Sequence, residues 1–159
     1  MKLVVFTDGP DGPVPHEYDI QETLQNVSLG NLDILQKSTK DGDYKGTTRK
    51  SIKELFVRLG DQEIARIEQW KSEHPGLDPM ADDSGFAATD GDDYLADPDF
   101  RASMIGLIFL GRRVAGENAT VQDAADTPIS RFFLKPDPEE IEEEADPKDE
   151  PVDDLPVVD

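Results

Sequence analysis

Apolar positions along the chain change period several times. Leu3-Val4-Val5-Phe6 opens it as a β-branched and aromatic run within Lys2 to Thr7. The turn-rich stretch from Asp8 to Pro13 follows, then a second extended run from His16 to Ile20, which together predict a hairpin over residues 2–20. Helical spacing then takes over. Ser28 is placed to cap a helix over about 28–39, with Leu29, Leu32 and Leu35 on one side and Asp41-Gly42-Asp43 as its stop. Thr47 or Thr48 caps the next, 47–59, where Ile52, Leu55, Phe56 and Leu59 recur at i, i+3, i+4 and i+7 and Gly60 ends the run. Asp61 then starts a third, 61–73, with Ile64, Ile67 and Trp70 turned inward and His74-Pro75-Gly76 closing it.

Residues 75–97 lose periodicity and read as a long acidic loop. The most apolar segment, 99–115, contains Phe100, Met104, Ile105, Leu107, Ile108, Phe109 and Leu110 before Arg112-Arg113, and predicts a central helix. Thr120 and Asp123 form a capping box for a short helix at 121–126, stopped by Pro128. Ile129 to Leu134 reads as an extended segment lying back over the helices. The expected fold is mainly α within an α+β class: a short N-terminal hairpin, a bundle of four to five helices over residues 1–135, and a tail at 136–159.

Charge separates body from tail. The 159 residues carry 36 acidic and 16 basic groups, a formal net charge of −20. Residues 136–159 hold 12 acidic groups and one lysine, a net of −11; five prolines interrupt them, which predicts a disordered tail. Mean hydropathy is −0.59 and the hydrophobic fraction 36%, so the core must be confined to part of the chain. The longest apolar run, Met104 to Leu110, falls far short of the ~18 residues that span a bilayer. A soluble, unsecreted protein is expected. Repulsion disfavours bare nucleic acid and anionic lipid, leaving basic or hydrophobic partners.

Candidate chemistry is sparse. There is no cysteine, hence no disulfide framework, thiolate metal cluster or thiol nucleophile. His16 and His74, the only histidines, lack metal-ligand spacing. Asp90-Gly91-Asp92-Asp93 suggests calcium, but counting from Asp90 puts Tyr94 and Leu95 where an EF-hand needs an oxygen ligand and glycine. No phosphate-binding glycine loop or nucleophile elbow occurs, and the carboxylates fall mostly in loops or the tail. The expectation is a non-enzyme with no catalytic residues, metal or cofactor.

What remains is apolar surplus beside an arginine pair. A helix apolar around most of its circumference is covered by its own domain or by a partner. The candidate contact surface is the exposed members of Ile105, Ile108, Phe109 and Val114, with Arg112 and Arg113 at its rim. The arginines equally suit the helix C-terminus, offsetting its dipole.

The order of elements then carries a resemblance. Glu17-Tyr18-Asp19-Ile20 precedes Val27-Ser28-Leu29-Gly30-Asn31-Leu32; the dense apolar helix closes on Leu110-Gly111-Arg112-Arg113-Val114-Ala115-Gly116; Thr120-Val121 and an acidic, proline-containing C-terminus follow. This arrangement resembles the tail assembly chaperones of actinobacterial, mycobacteriophage-like siphophages, over most of the chain. Arg113-Val114-Ala115-Gly116 departs by one residue from the commoner Arg-Ala-Gly step, and the 75–97 loop is longer than the family pattern. The resemblance implies a non-catalytic protein of the host cell cytoplasm. Such a protein coats the tape measure protein, keeps it soluble, recruits tail tube subunits and leaves before the virion matures. It also implies a longer product of programmed ribosomal frameshifting, with which the short form, or a second copy of it, could associate.

Two rival classes are set beside it. An acidic decoy mimicking nucleic acid fits the net charge, but charge concentrated in a tail lacks duplex-like spacing. A head-tail connector or tail terminator is usually a β-rich ring subunit, against which the helical periodicity argues.

Overall fold

The computed structural model describes residues 1–40, 46–86 and 91–135. The tail at 136–159, its expected disorder included, lies outside the described residues, as do Asp41-Gly42-Asp43 and Asp90.

Strands β1 (Lys2–Gly9) and β2 (Gly12–Asp19) form the expected hairpin, turning at Gly12 with φ +120°. Strand β3 (Phe132–Lys135) pairs antiparallel with the other edge of β1, so the sheet order is β2-β1-β3. The last described segment therefore joins the sheet rather than lying over the helices. Leu3 and Val5, with Tyr18 on β2 and Phe132 and Leu134 on β3, face the core, while Val4 lies between Glu17 and Phe133 on the other side. A short 3-10 turn, Ile129–Arg131, delivers the chain to β3.

Six α-helices are described: α1 (Ile20–Asn26), α2 (Leu29–Ser38), α3 (Arg49–Glu73), α4 (Gly91–Ala96), α5 (Pro98–Val114) and α6 (Val121–Ala125). The Asp19 side chain caps α1, a helix that its polar Gln21, Glu22 and Gln25 conceal in the sequence. Ser28 caps α2, and reciprocal capping boxes at Thr48/Ser51 and Thr120/Asp123 start α3 and α6. The expected pair of helices at 47–59 and 61–73 is one continuous helix. Gly60 does not take the left-handed conformation that ends a helix, and a β-carbon there would meet open space, so the ladder runs through it. Residues 91–96 of the expected loop form α4.

α5 is the centre of the molecule, with α1, α2, α3, α4, α6 and the sheet around it. Two glycines let neighbours approach closely. A β-carbon at Gly106 would lie 3.1 Å from Ile52 Cδ1, 3.2 Å from Thr47 Cγ2 and 3.3 Å from Leu35 Cδ2; one at Gly111 would lie 3.1 Å from Tyr18 Cγ. α3 is about 37 Å long at 1.5 Å per residue. Its first half buries Ile52 and Leu55 against the core. Its second half carries a smaller cluster in which Trp70 stacks on His74 at 4.3 Å and meets the Phe86 ring edge-on at 5.8 Å, with Arg66 over Phe86.

Candidate partner-binding surface

The expected contact residues do not form one exposed surface. Ile108 and Phe109 are 2% and 0% exposed, inside the core cluster. The placement on them is corrected: α5 is apolar nearly all round because its own domain covers it nearly all round. Ile105 is half-buried against that core, and Val114, the last residue of α5, is half-buried too.

The two arginines are occupied in finishing α5. Gly116 adopts φ +86°, and the Glu117 and Gly116 amides donate to the Arg112 and Arg113 carbonyls at 2.9 and 3.0 Å, a Schellman closure. Arg112 Nε donates to Glu117 Oε2 at 2.8 Å, while Tyr18 Oη donates to Glu117 Oε1 at 2.6 Å. Burial opposes ionisation of Glu117, but these two donors outweigh it and hold the carboxyl below its ordinary range. The same pairing, with burial leading, pushes the Tyr18 hydroxyl well above the ordinary tyrosine range. Arg113 lies over Phe109 at 5.5 Å and reaches Asn118 Oδ1 at 3.5 Å; its Nε is buried without a partner among the described residues. The Gly-Arg-Arg-Val-Ala-Gly stretch that carries the resemblance thus closes α5 within one chain.

The histidines are also engaged locally. His16 Nε2 hydrogen-bonds Thr7 Oγ1 at 2.8 Å, and His74 Nδ1 donates to the Trp70 carbonyl at 3.0 Å. Among the described residues no group of three His, Asp or Glu side chains could hold a metal ion, and no helix is long and apolar enough to cross a membrane.

Among the described residues, two surfaces that the periodicity did not single out bear on binding. One is a groove between α1 and the start of α3, floored by Met1, Ile20, Leu24 and Phe56 and flanked by Arg49 and Lys53. Arg49 is held there by its Nε, which donates to the Leu24 carbonyl at 2.6 Å. A cationic flank is notable in so acidic a chain. The sequence signal was Arg49 and Lys53 at i, i+4 ahead of Phe56, but the groove needs α1, whose pattern is too polar to read. The other surface is the outward stripe of α3, where Val57 is 65% and Ile64 48% exposed. Ile64 was expected inside; continuity through Gly60 turns it outward, because seven residues from Val57 bring it back to the same side within ~20°. Leu29, at 85% exposure, is a separate apolar point on α2.

No family model matches this chain, and neither the curated proteins nor the solved structures contain a match to it.

Proposed function

We propose that this protein is a non-catalytic tail assembly chaperone of the siphophage type. It binds the tape measure protein in the host cytoplasm, keeps it soluble while tail tube subunits polymerise around it, and is absent from the mature virion. The supporting observation within the described residues is the α1–α3 groove, an apolar floor between two cationic side chains on an otherwise acidic molecule. Such a groove suits one face of an amphipathic client helix bordered by acidic residues. A client long and helical enough to set tail length aggregates through its apolar faces; an acidic partner covering them keeps the complexes apart by repulsion.

The experiment is co-expression with the tape measure protein and co-purification of the pair. Gln21, exposed at the groove, is replaced by tryptophan to fill it without disturbing the core. Wild type is expected to retain the client and Gln21→Trp to lose it, with helical circular dichroism unchanged. Retention by the variant overturns the placement in the groove. Failure of wild type to retain or solubilise the client, or stoichiometric presence of the chain in purified virions, overturns the function.

A further inference from the structure

The acidic tail departs from the fold beside the groove between α1 and α3. Lys135, the last residue of β3, stands opposite Lys2 in the antiparallel register, and Met1, next to Lys2, lines the groove. Met1 is held there, because the Ile20 amide at the start of α1 donates to its carbonyl at 3.2 Å. Residue 136 therefore follows a position only one strand spacing, ~5 Å, from the strand that opens into the groove.

Groove and tail are complementary in both polarity and charge. The groove sets an apolar floor, Ile20, Leu24 and Phe56 with Met1, beside Arg49 and Lys53. Neither cation enters an ion pair among the described residues, and Arg49 is fixed in place by its bond to the Leu24 carbonyl. The first aliphatic residue after Lys135 is Ile141, enclosed by Glu139, Glu140, Glu142 and Glu143. An apolar side chain between carboxylates is the inverse of an apolar floor between cations. Six residues from Lys135 to Ile141 reach up to ~20 Å, about twice the ~10 Å length of α1.

We propose that the segment from Glu139 to Glu143 docks in cis into this groove, with Ile141 on the floor and the flanking glutamates against Arg49 and Lys53. The free protein then covers its own client site. A segment tethered this closely is present at an effective concentration on the order of mM, so even a weak contact fills the groove, whereas the tail of a second copy at ~10 μM would not. A client helix with acidic borders enters by displacing it. That gating rests on the groove being the client site, as proposed above; the docking itself does not.

The test uses the full chain without any client. The protein has no cysteine, so Ala145→Cys gives a unique position for a paramagnetic label four residues beyond Ile141. At ~10 μM, far below that effective concentration, the amide signals of the exposed groove residues Gln21 and Gln25 are expected to be lost through broadening by the label. Adding Ile141→Ser, which keeps the tether but removes the anchor, restores them; adding Lys53→Glu does the same. Three results each overturn the proposal: signals that persist in the labelled protein, equal broadening with and without Ile141→Ser, or broadening of unlabelled molecules by labelled ones in a mixture. A tape measure protein that fails to bind in a separate assay overturns the function alone and leaves the docking standing.

Discussion

A β-carbon on Gly111 would stand 3.1 Å from Tyr18 Cγ and 3.2 Å from Tyr18 Cβ, so the glycine is what lets β2 lie directly on α5. Tyr18 cannot retreat, because its hydroxyl is tied to Glu117 beyond the end of the same helix. Gly111→Ala is expected to destabilise the protein by ~1–3 kcal/mol through overpacking, despite alanine's better helix propensity. Gly106→Ala costs less, since it meets the tips of Ile52, Thr47 and Leu35 rather than the base of a ring. Urea denaturation of the two variants checks the order.

Acid sensitivity follows from Glu117. Its folded-state carboxyl titrates below the ordinary value of 4.5, so the stability it contributes is complete above that value and is lost as pH falls through the lower, folded one. Below pH 4.5 wild type should lose stability more steeply than Glu117→Gln, and the two unfolding curves should converge in strong acid. Tyr18 carries the opposite sign: its folded value is raised, so its contribution is complete below pH 10.0 and declines as pH rises beyond it. Ultraviolet titration should show a tyrosine that resists ionisation above pH 10.0, and Tyr18→Phe should remove that phase.

Gly60→Ala separates one helix from two. In a continuous α3 with open space at that position, alanine removes a helix-interior glycine and should stabilise the protein by ~1 kcal/mol. A glycine closing a separate helix would give a loss instead. Thermal melts of wild type and variant decide the sign.

Trp70, the single tryptophan, reports on the distal half of α3 alone. Phe86→Ala removes the edge-on ring at 5.8 Å and the aromatic face beneath Arg66. The fluorescence of Trp70 should move to longer wavelength, while the denaturation midpoint followed by circular dichroism changes little. An equal fall in both would place the loop at 75–86 within the main cooperative unit.

Local signals were legible in the sequence where one residue sufficed. Ser28 and Thr120 each cap a helix start, Thr48 is the one of the two candidate threonines that caps α3, and the buried pair Ile52 and Leu55 follows from spacing alone. Gly60 and Asp61 misled because a glycine before a capping residue has the same letters whether or not the helix stops there; backbone conformation makes the difference. α1 was hidden because Ile20, Thr23 and Leu24 are too few to set a period between polar neighbours. β3 was read as extended, but its partner was not, since pairing Phe132 with Val5 depends on the whole intervening fold. The surface fared worst. Ile108 and Phe109 are as greasy as Val57 and Ile64, and only the position of α5 among its neighbours decides which pair is enclosed.

The arrangement of β1 has a temporal consequence. This strand precedes both of its neighbours in the chain, yet one of them, β3, comes from the far end of the described chain, with Leu3 opposite Leu134. During synthesis the β1–β2 hairpin can close early, but the other flank of β1 keeps its backbone amides and carbonyls unsatisfied until Phe132–Lys135 has been translated. Folding therefore finishes by long-range closure, the slow kind of step, and a nascent chain halted before Phe132 presents a sticky margin that the finished molecule conceals.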